Sequence, residues 1–489
     1  MSQSKNLGDH NAASAQAPTP ESRGDTKGAR FPKSVFFIVG NEACERFSFY
    51  GMRSILTLYI VYKLYGDLAG SGPEGLEAAN DRAVRIVHLF TMGVYFMPLL
   101  GAWIADKFWG KFRTIVVMSL FYCLGNGVLA FTVGNEWGLV AGLAMIAIGS
   151  GGIKPCVSAF MGDQFSEAQK QFLPKAFGMF YWAINFGSFF SFAIIPLVKE
   201  DLGYAWAFGI PGIFMGLATL LFVCGSGMYK HVPPERVARK LLAARQQCPA
   251  TTNPAPTTNP IPATNPPEAP MTFGEKFRAI KGILLIFAIV PVFWALFDQM
   301  NSTWVVLSNQ MAASEISLLS WAYPLNAETV QSANSICVML FVPLFTFALY
   351  PLLNRTRLLR ATPLRRMTVG MVLAACSFVI CGVLQNAVSV GAAVSIWWMI
   401  LPYAVLSSGE VLFSTTGLEF AFSQAPVSMR STITSFWNFT IVIGNFIVVA
   451  VVSLGSGFSQ TQRFFFYSAL MFAVAAIFAI ASRTYKYRD

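Results

Sequence analysis

Charge is what this sequence has least of. Asp, Glu, Lys and Arg make up 12% of its 489 residues, about half the share of a typical soluble domain. Histidine is almost missing, with three copies. No His/Asp cluster has metal-ligand spacing and no Ser-His-Asp order occurs, which excludes the common metal centres and hydrolytic triads. The eight cysteines lie mostly inside apolar runs, with neither metal spacing nor a pairing pattern, so they are expected to pack as small hydrophobes. The first 33 residues lack an apolar signal core and are polar and rich in Ala, Ser and Pro, the composition of a disordered tail rather than a signal peptide. Alternating apolar and polar patterns are also missing, which excludes a membrane barrel.

What the chain has instead is long apolar runs. Twelve approach or reach membrane-spanning length: 34–62, 84–105, 114–133, 136–160, 175–198, 205–228, 280–304, 327–353, 367–386, 395–422, 432–455 and 464–482. About 20 apolar residues cross a bilayer as a helix. Lipid gives an unpaired backbone no partner, so an all-α integral membrane protein with about twelve transmembrane helices is predicted. Basic residues gather in alternate connections. Lys5, Arg23, Lys27, Arg30 and Lys33 precede the first span, Lys107, Lys111 and Arg113 fill the second loop, and Arg355, Arg357, Arg360, Arg365 and Arg366 the eighth. Arg483, Lys486 and Arg488 follow the last span. The positive-inside rule then puts both termini in the cytoplasm. This asymmetry accounts for the net charge of +11, and no nucleic-acid partner is needed.

A proline-rich tract, "TTNPAPTTNPIPATNPPEAP", divides the spans six and six. Such a tract is a semi-rigid extended linker. Its flanks "ERVARK" and "EKFRAIKG" are predicted to form short helices on the membrane surface. The expected plan is a tail (1–33), a six-helix bundle (34–228), a cytoplasmic linker (229–275), a second six-helix bundle (276–484) and a short tail (485–489). Two six-helix halves joined in this way are the plan of the major facilitator fold.

The few intramembrane charges are then the candidates for function. In "NEACERFSFYGMR", residues 41–53, Glu42, Glu45, Arg46, Phe49, Tyr50 and Arg53 fall on one helical stripe. Glu42 and Arg46 stand at i, i+4, where pairing is natural; a purely static buried ion pair is the alternative reading. Lys154 lies in the fourth span, Asp298 in the seventh, and Glu410 and Glu419 in the tenth. If the halves are inverted repeats, spans 1, 4, 7 and 10 line a common path. Five carboxylates (Glu42, Glu45, Asp298, Glu410, Glu419) then face three cations (Arg46, Arg53, Lys154). That excess lets the cavity hold a proton at neutral pH. Gly149, Gly151, Gly152 and Pro155 suggest a loosened fourth span with close backbone approach. His88, at the outer end of the second span, has an equal reading as a simple cap or pair.

At this point the residues resemble a known family, the proton-dependent oligopeptide transporters of the major facilitator superfamily. "EACERFSFYGMR" is similar to their ExxER signature. "ADKFWGKFRT" resembles their loop between spans two and three, and "FGMFYWAINFGSF" their fifth-span signature. "GGIKPCVSAFMGDQF" and "GLEFAFSQAP" resemble the animal-type branch. The likeness covers about 34–486 and implies symport of di- and tripeptides with protons by alternating access, without cofactor or enzymatic activity, in a multi-pass protein of the plasma membrane, bacterial inner membrane by preference.

The resemblance also implies roles for named residues. Glu42, Glu45 and Arg46 would handle protons, with Asp298 and His88. Arg53, Lys154 and Tyr50 would hold the peptide carboxylate. Glu410 would hold the amine, helped by Asn185 and Asn334, while Tyr95, Trp304 and Trp437 would be aromatic pocket residues. A short peptide is a zwitterion with variable side chains, so opposite charges at two ends of an apolar pocket would read only its common part. Expected partners are therefore di- and tripeptides, peptide-like drugs and the bilayer, with the monomer as the working unit. The chain departs from the family pattern at Phe49, where many members carry a tyrosine, and has neither extra helices between its halves nor a large domain between spans nine and ten. A different cargo in the same fold, or a sensor or channel, are the alternative readings. The complete ExxER stripe and the opposed charges on four helices argue against them.

Overall fold

Each apolar run is helical, as lipid requires. The computed structural model describes residues 30–234, 237, 273–318, 321–355, 362–424, 430–455 and 457–485. The first half comprises α1 (Ser34–Leu58), α2 (Pro73–Trp109), α3 (Lys111–Phe131), α4 (Glu136–Asp163), α5 (Ala168–Leu202) and α6 (Tyr204–Met228). The second comprises α7 (Ile280–Asn309), α8 (Thr329–Leu352), α9 (Pro363–Ser389), α10 (Ile400–Gln424), α11 (Arg430–Leu454) and α12 (Gln460–Thr484). Eleven helices among the described residues are long and apolar enough to cross a membrane. The remaining one, α1, is kept out of that count by its own charges, the stripe at Glu42–Arg53.

A short antiparallel hairpin, β1 (Ser314–Leu318) and β2 (Trp321–Leu325), joins α7 to α8. Two features differ from the sequence reading. The flank "EKFRAIKG" lies within a helix, Phe273–Phe287, that leads straight into the seventh span rather than forming a separate surface helix. The fourth span is not loosened: α4 stays α-helical through Pro155. Wide π turns occur elsewhere, at Tyr59–Leu64, Ala105–Trp109 and Phe345–Leu349. Most of the 1–33 tail, the Thr-Asn-Pro tract and residues 486–489 lie outside the described residues. The seven described cysteines are free thiols, with Cys156 and Cys381 buried and Cys224 exposed.

Apolar burial builds one core in each half. Met52, Ile55, Tyr122 and Phe208 belong to the first, and Phe293, Trp304, Phe378 and Tyr467 to the second. Between them, among the described residues, lie Tyr95, which packs against both cores, and small apolar clusters, Val84 with Ala295, Val448 and Val452, and Leu58 with Val305 and Ala327. The halves meet along two seams, α2 against α11 and α5 against α8. Within the halves the strongest packing joins α3 to α4 and α9 to α10, which are corresponding helices of the two halves.

The glycines of α4 explain how a cation-bearing helix reaches the centre. A Cβ on Gly101 of α2 would lie 2.4 Å from the Gly151 carbonyl oxygen and 2.7 Å from Gly152 Cα. Only glycine permits such backbone contact, the small-residue packing typical of membrane helices. A Cβ on Gly151 would in turn lie 2.2 Å from Met97 Cβ. Gly151→Val should therefore overpack the α2–α4 seam and cost about 1–3 kcal/mol. The test is the thermal unfolding midpoint of purified protein in detergent; an unchanged midpoint would contradict this contact.

Candidate transport site

The α1 stripe forms as its spacing requires, and its charges are buried against protein. The Arg46 guanidinium serves both carboxylates, with Nε 2.9 Å from Glu42 Oε1 and 2.6 Å from Glu45 Oε2. Two turns along, Arg53 Nη2 reaches Asp298 Oδ1 of α7 at 3.2 Å and donates to Thr91 Oγ1 of α2 at 3.3 Å. Breaking one partner out of a buried pair costs about 3–5 kcal/mol. This contact therefore ties the two halves together while both charges remain.

Asp298 is the hub of a longer chain of hydrogen bonds. Asn445 Nδ2 of α11 donates to Asp298 Oδ2 at 2.7 Å, and His88 Nδ1 lies 2.6 Å from Asn445 Oδ1. His88 Nε2 lies 2.9 Å from Ser302 Oγ. A carboxylate only accepts, so the amide must donate to Asp298 and accept from His88 Nδ1–H. The neutral ring then accepts from the Ser302 hydroxyl. A second proton on His88 is accommodated if that hydroxyl turns to the Gln299 carbonyl oxygen, 3.5 Å away. His88 is thus neither a cap nor an isolated pair but one link between α2, α7 and α11.

Lys154 takes a different environment. Among the described residues it makes no ion pair; its Nζ lies 4.5 Å from the ring centres of both Phe49 and Tyr95. It opens onto a cavity of about 490 Å³ between α2, α4 and α11, lined by Tyr95, Leu99, Lys154, Ser158, Ser435 and Asn438 among others. In the second half, Asn334 Nδ2 of α8 donates to Glu410 Oε2 of α10 at 3.3 Å and to Ser407 Oγ at 2.9 Å. Tyr50 feels the charges of Arg46 and Arg53 and of Glu410 from the other half. The cations therefore come from the first half, and Glu410 and Asp298 from the second. Asn185 is buried in α5 and donates to the Tyr181 carbonyl oxygen at 3.0 Å, one turn from the Ser188–Ser335 contact between halves at 2.8 Å.

Three expected placements change. Trp304 is fully buried, with its ring against Tyr403 at 5.0 Å and Phe378 at 5.7 Å, so it belongs to the second-half core and not to the pocket wall. Trp437 is buried among Phe287, Trp294 and Phe413, which also removes it from the wall. Glu419 is exposed and leaves the buried charge count. Of the charges singled out from sequence, Glu42, Glu45, Asp298, Arg46 and Arg53 are buried and Glu410 and Lys154 half-buried, so four enclosed carboxylates face three cations and the excess falls from two to one.

Further contacts between halves lie toward the end remote from the termini. Lys199 Nζ of α5 pairs with Glu328 Oε2 at 2.5 Å, Asn326 donates to Glu200 at 2.9 Å, and the Tyr323 hydroxyl donates to the Ala193 carbonyl oxygen at 2.9 Å. Arg463 of α12 holds Asp81 of α2 in a forked pair, with Nη2–Oδ2 at 3.0 Å. Thr57 donates to the Asn301 carbonyl oxygen at 2.7 Å. None of the residues Asn445, Ser302, Lys199, Glu328, Asp81 or Arg463 was singled out from sequence. Asn445 alone carried a signal, as a lone amide in the apolar run "IVIGNFIVV".

Twelve helices in two cored halves, with buried charges converging between them, define a major facilitator transporter. The comparisons agree. The POT family profile matches residues 112–252 and 259–480. Solute carrier family 15 member 2 of Rattus norvegicus is 35% identical over 394 residues, 76% of this chain and 52% of the relative. Solute carrier family 15 member 1 of Homo sapiens is 34% identical over 386 residues, 73% of this chain and 52% of the relative. The chain thus spans about half the length of these curated relatives. The crystal structure of the POT family transporter PepTSo superposes with a TM-score of 0.78 at 35% identity, covering 93% of this chain and 99% of that one. An auto-inhibited POT family peptide transporter gives 0.77 at 36% identity, covering 94% and 98%. This chain belongs to the POT family, whose members are transporters and not enzymes.

Glu328 lies just outside the eighth span. Burial pushes its carboxyl up to about 7 from an ordinary 4.5; Lys199 pulls it down and Glu200 pushes it up. Opening this end would return Glu328 to water and to its ordinary value. Between those two pH values the closed end binds a proton that the open end lacks, so acidification favours closure. The closed-to-open ratio should rise on the order of 20-fold from pH 7.5 to 5.5, a tenfold ratio corresponding to about 1.4 kcal/mol. Spin-label distances across this end check it: the pH response should shrink in Glu328→Gln, and an unchanged response would reject it.

Proposed function

We propose that this chain is a proton-coupled symporter that carries di- and tripeptides, and peptide-like compounds, by alternating access across the plasma membrane. The observation that carries this reading is the placement of enclosed charge: beyond the Glu42–Glu45–Arg46 group, the cations Arg53 and half-buried Lys154 stand on one half, and Asp298 and half-buried Glu410 on the other. A zwitterion laid across the cavity would place its carboxylate toward Lys154, Arg53 and Tyr50. Its amine would lie toward Glu410 and Asn334. With the termini in the cytoplasm, as the basic loops indicate, the contacts near Arg53, Lys199 and Arg463 close the outer end and the cavity beside Lys154 lies on the inner side.

Coupling follows from ions that have more than one partner. A peptide carboxylate competes with Asp298 for Arg53, and a proton on Asp298 would remove the charge that holds Arg53 across the seam. A proton on His88 would add a cation that competes with Arg53 for Asp298 through Asn445. Each event weakens the same tie, so each biases the equilibrium between closed and open ends. Arg46 offers a second place for a proton, since it neutralises only one of Glu42 and Glu45. One proton moving down about 100 mV supplies roughly 2.3 kcal/mol, enough for on the order of 50-fold accumulation.

The test is uptake of labelled dialanine into liposomes with an imposed pH gradient. Uptake should require the gradient, and its absence with folded protein would overturn the reading. Hydrogen bonds to charged groups are worth about 1.5–3 kcal/mol, so Lys154→Gln should lower dialanine affinity about 10- to 100-fold and abolish accumulation. Retained gradient-driven accumulation would remove Lys154 from its role. Glu410→Gln should weaken peptides with a free amine about tenfold while sparing N-acetylated ones, by the same magnitude. Equal losses for both would count against the amine site.

A further inference from the structure

Phe49 is the position where the first span leaves the family pattern, and its ring is ringed by cations. It is 2% exposed, packed against Tyr50 edge-on at 5.4 Å and Phe90 at 6.3 Å. The Lys154 Nζ lies 4.5 Å from its centre, Arg53 Cζ 5.9 Å and Arg46 Cζ 6.0 Å. Tyr95 covers Lys154 from α2, also at 4.5 Å. The two arginines have carboxylate partners, Glu42 and Glu45 for one and Asp298 for the other. Lys154 has none among the described residues.

An aromatic face within about 6 Å attracts a cation, and more strongly where water is excluded. The ring also carries no hydrogen-bond acceptor at its edge, so it draws the ammonium near without occupying its N–H groups. We propose that Phe49 is a positioning residue: its face, with that of Tyr95, cages the Lys154 ammonium so that its N–H donors stay free for the substrate carboxylate. The cage replaces an internal carboxylate partner, which would have to be displaced at every binding event. It also separates Lys154 from Arg46 and Arg53 with a polarisable neutral surface. This inference rests on the reading of Lys154 as the carboxylate anchor.

Fluorination tests it, because it drains negative charge from the ring face while keeping its size and apolar character. Full-length protein is made with mono-, di- and trifluorophenylalanine at position 49, and dialanine and dialanine amide binding are measured by calorimetry. Dialanine affinity should fall stepwise, about tenfold by the trifluoro ring, while Phe49→Tyr stays within about twofold of the unsubstituted protein. The amide, which lacks the carboxylate, should bind weakly and respond little to fluorine. Unchanged or tighter dialanine binding along the series, with the preference over the amide intact, overturns the cage alone. Equal binding of dialanine and its amide by the unsubstituted protein overturns the Lys154 reading on which the cage stands.

Discussion

The Arg53–Asp298 pair crosses between two halves that each have their own large apolar core. Taking both charges out of water is expensive, and the cost is offset only while each keeps the other. The surrounding polar groups all serve that condition. Thr91 takes another Arg53 contact, and Asn445 satisfies the second Asp298 oxygen while passing the bond on to His88 and Ser302. A tie of this kind cannot simply be pulled apart. It is released when something else pairs with one of its members.

Alternation in the proposed symporter is that release made productive. Beyond the Glu42–Glu45–Arg46 group, the first half carries the cations Arg53 and Lys154 and the second the carboxylates Asp298 and Glu410, so an empty site would tend to close on itself. A zwitterion satisfies both halves at once without joining Arg53 to Asp298, and a proton satisfies Asp298 alone. The same electrostatic requirement thus selects substrate class, admits the coupling ion and times the movement. The Arg46 pairing with two carboxylates leaves a local imbalance of one charge on α1, with no second cation in ion-pair contact with Glu42 or Glu45 among the described residues. Side-chain tolerance would follow from the apolar part of the cavity wall, Tyr95, Leu99 and Pro155, which has no charge to match.

The twelve spans were legible because lipid leaves so little choice: apolar run, length and loop charge each follow from one solvent constraint. The α1 stripe was legible for the same reason, since Glu42, Glu45, Arg46 and Arg53 could not face outward. Family resemblance assigned Lys154, Glu410 and Asn334 to one site; in the structure Lys154 lines the cavity, and Asn334 and Glu410 are bonded to each other in the second half. The misses have physical causes as well. Trp304 sits on the same helix as Asp298, but helical phase turns its ring into the second-half core. Glu419 lies too far along α10 to be enclosed. Ser302 is uncharged and small and left no signal, and Asn445 left only that of a lone amide in an apolar run, although both carry the His88 network. Lys199–Glu328 and Asp81–Arg463 join residues more than 100 positions apart, and no local pattern reports such pairing.

The seam between halves has one more consequence. Among the described residues its contacts are ion pairs, amide and hydroxyl bonds, two small apolar clusters and the Tyr95 ring, whereas the bulk of each large apolar core stays within its own half. Opening the seam therefore exposes little apolar surface and exchanges protein hydrogen bonds for bonds to water or substrate, a nearly even trade. Because heat-capacity change tracks exposed apolar area, the balance between closed and open forms should drift little with temperature. The switch and the fold would then have separate thermal lives: the halves melt, while the hinge between them stays poised across the whole range in which they are folded.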